Sequence, residues 1–501
     1  MTDARRRFAV ALAAGLISAA GFEPLNFWPL TVAGVAALVW LLGRTPTLKS
    51  ALATGWWWGV GHFIASLYWI AHAFQFQAKM PSWLGWIAVL ALSALMAIYP
   101  AASAGIGWRL GRTSLVSRLL AFAGAWMLTE YLRGFVFGGF PWNPLGVVLL
   151  PVPGLPHAAA AIGGLGLSGV VVLLAGAVLL LADGERRAAA LAAGGITLIA
   201  AGGGIWSATE PPAGKPVPLI VVQANIGQGE KWDPVVEEAN LRKHLRLTAE
   251  ALRTAPPNAI VAWPEAAVTG LLDEDPILQM RLGAVLRDGD LLLTGADKAL
   301  RDKEGWAYAA HNSLFVVSPR GRLLARYDKS RLVPYGEYLP LRWLFEPIGI
   351  ARLVPGGIDF WPGPGPRTLA LPGFPSVGPQ ICYEIVASGL VADRSNRPQW
   401  ILNASNDAWF SDGGAWMHLA QARLRAIEEG LPVVRATPTG VSAILDPHGR
   451  KIAILDRNRA GFLRGTLPEA TAGTVFSQLG QALPLIAAIV CLGLAGLFRR
   501  R

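Results

Sequence analysis

Charge is what this sequence most lacks. Of its 501 residues only 15% are charged, against 53% that are hydrophobic. Soluble domains carry about 25% charged residues, so a large part of the chain belongs in lipid. Cysteine is nearly absent too. The two present, Cys382 and Cys491, lie far apart, which excludes a disulfide framework and any multi-cysteine zinc or iron–sulfur site. The seven histidines form no HxxxH or HExxH spacing, so no metal site is expected. Gly202-Gly203-Gly204 lies in an apolar run without strand–helix context, which argues against a phosphate loop. Neither ATP nor any other cofactor is called for. The net charge of +11 would suit nucleic acid, but the basic residues cluster beside apolar segments and speak for membrane topology instead.

Long apolar runs are what the chain has in place of charge. Arg5-Arg6-Arg7 precede a run over 8–22 that resembles a signal peptide and is short for a span. Further runs follow at once and no convincing cleavage site appears, so it reads as the first span. Others lie near 27–43, 51–74, 82–108, 115–137, 157–182, 188–206 and 479–498. Each can cross roughly 30 Å of hydrocarbon, giving eight spans. Arg44 and Lys49 follow the second, Arg109, Arg112 and Arg118 the fourth, Arg186 and Arg187 the sixth, and Arg499-Arg500-Arg501 the last. The opposite loops hold little beyond Lys79 and Arg133. Basic loops stay inside, so both termini are expected in the cytoplasm and the segment between spans seven and eight outside. The expected domains are 1–209 (membrane), 210–475 (extracytoplasmic) and 476–501 (last span and basic tail). Trp28, Trp108 and Trp142 read as interface anchors, and Cys491 as an inert packing residue inside the last span.

The outside segment changes character. Buried-strand signals appear at 217–223, 259–263, 291–294, 313–317, 323–327, 400–403, 433–436 and 441–445. Amphipathic helices are expected over 234–254 and 417–429. Alternation of this kind over about 260 residues suits one α/β domain. A Pro/Gly-rich loop over 342–366 holds Trp343, Leu344, Phe345, Phe360 and Trp361, aromatics suited to a lid or to the lipid interface.

Three polar residues each end a strand-like run in this segment. Glu265 follows Trp263-Pro264, Lys329 follows Tyr327-Asp328, and Cys382 ends the run Val377 to Ile381. Ligands gather at strand carboxyl ends in open α/β sheets. Singly, a strand-end Glu or Lys is most often a solvated charge, and a free Cys most often a core residue. Together they are a set that acyl transfer can use. A thiol is only a few per cent thiolate at neutral pH, and a carboxylate can take its proton and return it to a leaving group. A lysine cation beside the attacked carbonyl stabilises the oxyanion, and Glu265 and Glu337 could both flank Lys329 and hold it charged.

Trp263-Pro264-Glu265, Asp328-Lys329 with Val333-Pro334-Tyr335-Gly336-Glu337, and Ile381-Cys382-Tyr383-Glu384 resemble the Glu-Lys-Cys signature of the carbon–nitrogen hydrolase (nitrilase) superfamily. With the flanking spans, the chain is similar throughout to that superfamily's apolipoprotein N-acyltransferase branch of the bacterial inner membrane. Supporting segments are Phe22-Glu23-Pro24, Glu130-Tyr131-Leu132-Arg133-Gly134, Gly139-Phe140-Pro141-Trp142, Gln223-Ala224-Asn225-Ile226, Lys231-Trp232-Asp233 and Asn406-Asp407-Ala408-Trp409-Phe410. Thr437-Pro438-Thr439-Gly440 departs from the pattern, where Asn more often precedes the Thr/Asn-Gly pair. The resemblance implies a nitrilase-like αββα sandwich on a polytopic helical membrane domain. It implies Glu265 as general base, Lys329 as oxyanion stabiliser and Cys382 as nucleophile. Glu337 would support the site, Tyr383 and Glu384 would shape the pocket, and Trp232, Trp343 and Phe345 would stand near the substrate entrance. The implied reaction moves an acyl chain from a phospholipid, through a cysteine thioester, to the amine of a diacylated apolipoprotein. The protein would act in the membrane, with a monomer favoured and no metal or nucleic acid involved.

Two other readings stay open on the residues alone. A membrane-anchored amidase would use the same three groups with water as acceptor, although it needs neither the aromatic loop nor eight spans. A transporter or lipoprotein-binding scaffold would place ionisable residues deep in several spans, where Glu130 and Arg133 are the main pair.

Overall fold

The computed structural model describes residues 3–76, 80–210, 214–339, 341–345, 347 and 358–498. Its contacts divide the chain into two units. The first holds the chain up to Ala71, Trp83–Thr209 and the chain from Thr474 onward; the second holds His72–Ser82 and Glu210–Gly473.

The first unit is all helix: α1 (Asp3–Ser18), α2 (Trp28–Leu42), α3 (Leu48–Leu67), α4 (Leu84–Met96), α5 (Ile98–Leu110), α6 (Leu115–Arg133), α7 (Ala159–Ala182) and α8 (Arg186–Ser207). Among the described residues three helical stretches are long and apolar enough to cross a membrane: Leu84–Leu110, Leu155–Ala182 and Arg186–Ser207. Trp28–Leu42 and Ala482–Leu497 are apolar but shorter. The expectation of eight spans is therefore met only in part. α1 opens on three arginines, α3 carries Lys49 and His62, and α6 carries Arg118, Glu130 and Arg133. The run expected over 51–74 stops as an α-helix at Leu67 and continues as a tighter 3₁₀ turn, Tyr68–Phe76.

The charged pair on α6 is spent on the chain's own backbone. Arg133 donates to the carbonyls of Phe140 (3.0 Å) and Trp142 (2.6 Å). Glu130 accepts from the Leu145 amide at 2.9 Å, from Trp126 Nε1 at 3.1 Å and from the Ser168 hydroxyl. The bonds at Phe140, Trp142 and Leu145 satisfy polar main chain in the connection between α6 and α7, where lipid would offer no partner. Transport is not needed to explain them.

The second unit is built on two six-stranded sheets. The first runs β12-β1-β2-β3-β4-β5 and the second β11-β10-β9-β8-β7-β6. The strands are β1 (Pro218–Gln223), β2 (Ile260–Ala262), β3 (Leu291–Arg301), β4 (Ala307–Val317), β5 (Leu323–Asp328), β6 (Leu369–Leu371), β7 (Phe374–Ile381), β8 (Trp400–Ala404), β9 (Val433–Ala436), β10 (Ser442–Leu445), β11 (Lys451–Leu455) and β12 (Gly461–Thr466). The helices are α9 (Gln228–Lys231), α10 (Glu237–Leu252), α11 (Pro276–Ala284), α12 (Arg342–Phe345) and α13 (Asp412–Glu429); α14 (Val475–Leu479) and α15 (Ala482–Phe498) return to the first unit. β1–β2–β3 and β7–β8–β9 are parallel, with antiparallel strands toward the edges. Parallel strands are covered on both faces, which is why their sequences read as unbroken apolar runs.

One core lies between the sheets, with Val221, Ala262, Val316, Trp400, Leu402, Val434 and Ile444 fully buried. A second lies outside the first sheet, where Leu247, Ala251 and Leu252 of α10 and Leu278 and Leu282 of α11 cover Ile220, Val261 and Phe315. α13 packs beside β9 and the turn after β7. This is the nitrilase-like carbon–nitrogen hydrolase fold, a helix–sheet–sheet–helix sandwich.

Candidate active site

Three strand ends converge. Glu265 follows β2, Lys329 follows β5 and Cys382 follows β7, and all three are buried, exposed by 6%, 1% and 7%. Lys329 Nζ donates to Glu337 Oε1 at 2.8 Å and to Glu265 Oε1 at 3.3 Å. Asn312 on β4 bridges the same carboxylates through Nδ2, at 2.7 Å from Glu265 Oε1 and 3.2 Å from Glu337 Oε1. The Val333 amide binds the other Glu337 oxygen at 2.8 Å.

The turn carrying Glu265 lies directly on β3. Pro264 and Val268 bond to the backbone of Gly295, and a Cβ at 295 would stand 2.4 Å from the Ala266 nitrogen and 2.7 Å from Glu265 Cα. Only glycine admits that approach.

Cys382 stands at φ +50°, a left-handed conformation rare outside Gly and Asn. Its carbonyl is held from behind, by Asn403 Nδ2 at 3.3 Å and by His418 Nε2 at 3.2 Å. His418 Nδ1 faces Asp407 at 3.1 Å, and Arg435 joins the same buried cluster. Glu384, two residues on, braces the turn. Its Oε1 accepts from the Tyr327 hydroxyl, the Ser330 amide and hydroxyl and the Arg331 amide, and its Oε2 from the Ile381 amide at 2.7 Å. It thus ties the Lys329 segment to the Cys382 turn. Tyr383 is buried in that turn.

Burial pushes the Cys382 thiol up to about 12, with the Glu265 and Asp407 charges adding to the rise and Lys329 and a Ser405 hydrogen bond opposing it. At neutral pH it rests as a thiol. Burial pulls the Lys329 ammonium down, but Glu337, Glu265 and Cys382 outweigh it, so Lys329 is held charged, above the ordinary lysine range.

Four residues of this cluster were not singled out from sequence. Lys231, at the end of α9, is 5% exposed and donates to the Glu265 carbonyl at 2.8 Å. Asp297 on β3 is the cross-strand partner of Asn312. Asn312 lies in an ordinary alternating strand, and His418 falls within an expected amphipathic helix. Only the unusual β4 sequence, His311-Asn312-Ser313 within an apolar run, hinted at a buried polar pair.

The outer residues are less gathered. Trp232 follows Lys231 and is 39% exposed; Trp343 is 75% exposed on α12. The side chain of Phe345 and residues 346 and 348–357 of the loop lie outside the described residues. Trp343 therefore stands apart from the cluster, on a surface turn.

The comparisons agree along the whole chain. Residues 14–177 match the family described as apolipoprotein N-acyltransferase N-terminal domain, and residues 221–475 match carbon-nitrogen hydrolase. The chain is 34% identical to an apolipoprotein N-acyltransferase of Rhodopseudomonas palustris, over 99% of this chain and 96% of that one. It is 36% identical to one of Bradyrhizobium diazoefficiens, over 97% and 94%. Among solved structures, Nit3 of Saccharomyces cerevisiae, a member of branch 10 of the nitrilase superfamily, aligns with 51% of this chain and 93% of its own at 16% identity, with a TM-score of 0.37. Near-complete coverage at more than 30% identity, with both halves matched in order, places the chain in the apolipoprotein N-acyltransferase family.

Proposed function

We propose that the protein transfers a fatty acyl chain from a membrane phospholipid, through a thioester on Cys382, to the N-terminal amine of an S-diacylglyceryl-cysteine apolipoprotein. The observation that carries this reading is the buried carboxylate–ammonium–thiol cluster, set in a chain of this family. A thiol pushed up to about 12 is thiolate in only about one molecule in 10⁵ at pH 7, so its proton must leave during attack. Glu265 takes it. Cys382 Sγ bonds to the ester carbonyl carbon, and the oxyanion that forms faces the Lys329 ammonium, which Glu337 keeps charged at 2.8 Å. Collapse breaks the ester C–O bond, and Glu265 returns the proton to the departing lysophospholipid oxygen.

The second half repeats the geometry. The neutral α-amine of the acceptor attacks the thioester, Glu265 takes the amine's proton, and collapse breaks the C–S bond. The proton passes to sulfur, which restores thiol and carboxylate. Glu384 acts by holding the two strand ends in register. We assign Trp232, which follows the buried Lys231, to the route by which lipid substrates arrive, with the exposed Trp343 as a contact for the lipid interface.

The membrane arrangement follows the loop charges: eight spans in the bacterial inner membrane, both termini in the cytoplasm and 210–475 in the periplasm.

The test is detergent-purified protein with phospholipid and a diacylated lipopeptide. Triacylated peptide and lysophospholipid should appear in equal amounts, with Cys382→Ser inactive. Release of free fatty acid without triacylated peptide would replace this reading with the hydrolase one, and full activity in Cys382→Ser would remove the covalent route.

A further inference from the structure

Lys231 is a buried cation for which the acyl-transfer steps above find no use. It closes a four-residue helix, yet its Nζ reaches the main-chain carbonyl of Glu265 at 2.8 Å. Asn406, from the loop after β8, faces the same nitrogen. With its amide turned so that the oxygen faces the two donors, Asn406 accepts from Lys231 Nζ at 3.3 Å and from Trp409 Nε1 at 3.2 Å. One ammonium therefore joins the loop after β2, which carries Glu265, to the loop after β8, which carries Ser405 and Asp407 beneath the nucleophile. Asp297 also lies within its field, across the β3–β4 pair from Asn312.

We propose that Lys231 is a positioning residue for acyl transfer: it braces the Glu265 turn against the Asn406 loop and supplies, beside Lys329, a second cation that favours the thiolate of Cys382. This rests on reading Cys382 as the nucleophile. A purely structural lysine would hydrogen-bond equally well as any donor of its length. A charged one leaves an electrostatic mark on the sulfur.

The groups facing Lys231 set what that mark looks like. Burial pulls its ammonium down to about 8, against the opposing pull of Glu265, Asp297 and Cys382. Burial pushes Asp297 up to about 7, with Lys231 and Lys329 opposing and Glu265 and Glu337 adding to the rise. The neighbouring His244 imidazole is pushed down to about 4 by burial and stays neutral at working pH. As pH rises through about 8, Lys231 loses its charge and the thiol loses a stabilising neighbour.

The experiment is alkylation of Cys382 by iodoacetamide in detergent-purified full-length protein, followed by intact mass from pH 6.5 to 10. It does not depend on acyl transfer, so its failure is separable from failure of the proposed function. The parent rate should climb about tenfold per pH unit and bend downward near pH 8. Lys231→Arg should keep the parent rate at pH 7 to within about threefold and lose the bend, because arginine stays charged. Lys231→Gln should be about tenfold or more slower at pH 7 and approach the parent above pH 9. Asp297→Asn should keep the bend, displaced to lower pH by loss of an anionic neighbour, and so separates Lys231 from Asp297 as its source. Parent and Lys231→Gln profiles that coincide, or a bend that survives in Lys231→Arg, overturn the proposal. If Lys231→Gln does not fold, the Arg variant alone decides through the bend.

Discussion

Glu265→Gln should slow acyl transfer while making the resting thiol more reactive. Glutamine keeps the side chain's size and can keep the Asn312 contact, now 2.7 Å, but it cannot take a proton. Loss of a general base costs about 10²–10⁴-fold in rate. The same carboxylate is, after burial, the largest cause of the raised Cys382 thiol. A like charge removed from beside an acid lowers its pKa, so thiolate becomes more abundant at every pH below the midpoint. Neighbouring charges move such titrations by about one to three pH units. The low end applies here, because Lys329 Nζ lies 3.3 Å from Glu265 and already offsets part of its field. Iodoacetamide labelling at pH 8 should therefore rise by about tenfold. The two readouts, triacyl-peptide formation and labelling followed by intact mass, must move in opposite directions. Parallel loss of both would mean that Glu265 only organises the site, and acyl transfer at the parent rate would mean it is not the base.

Further consequences concern the supports of the cluster. Glu384→Gln puts an amide among donors that need an acceptor; with five hydrogen bonds to one buried carboxylate disturbed, unfolding in detergent should become easier by about 3–5 kcal/mol, read from thermal melts. Unchanged melting would show that those bonds are not formed. Gly295→Ala places a methyl 2.7 Å from Glu265 Cα and should cut kcat more than KM while Cys382 labelling persists. A parent-like kcat would show that the turn yields freely. Lys329→Met removes the oxyanion's cation and should cost about 10²–10³-fold in acylation rate.

Glu265 and Cys382 were readable because the strands before them, Ile260–Ala262 and Phe374–Ile381, run parallel to a neighbour inside their sheets and end buried, whereas Lys329 follows β5, a half-exposed antiparallel edge strand, and was legible only through the motif around it. Lys231 was not readable, because a lysine beside Glu230 and Asp233 in a four-residue helix has the sequence of a solvated loop. Its burial comes from Glu265 and Asn406, which are 34 and 175 residues away along the chain and are joined to it only by the fold. β11 and β12 escaped for another reason. Edge strands such as Lys451–Leu455 and Gly461–Thr466 expose much of their length and carry charge on it. Apolar length alone ran 51–74 together as one span, whereas His72 to Phe74 already belong with the catalytic unit. Hydropathy counts apolar surface without saying whether lipid or protein covers it.

The most direct measurement is the intact mass of the purified protein after exposure to phospholipid without acceptor. The expected result is a gain of one acyl chain that maps to Cys382, is absent in Cys382→Ser, and disappears when diacylated lipopeptide is added. Triacylated product formed with no acyl chain ever found on Cys382 would contradict the thioester route.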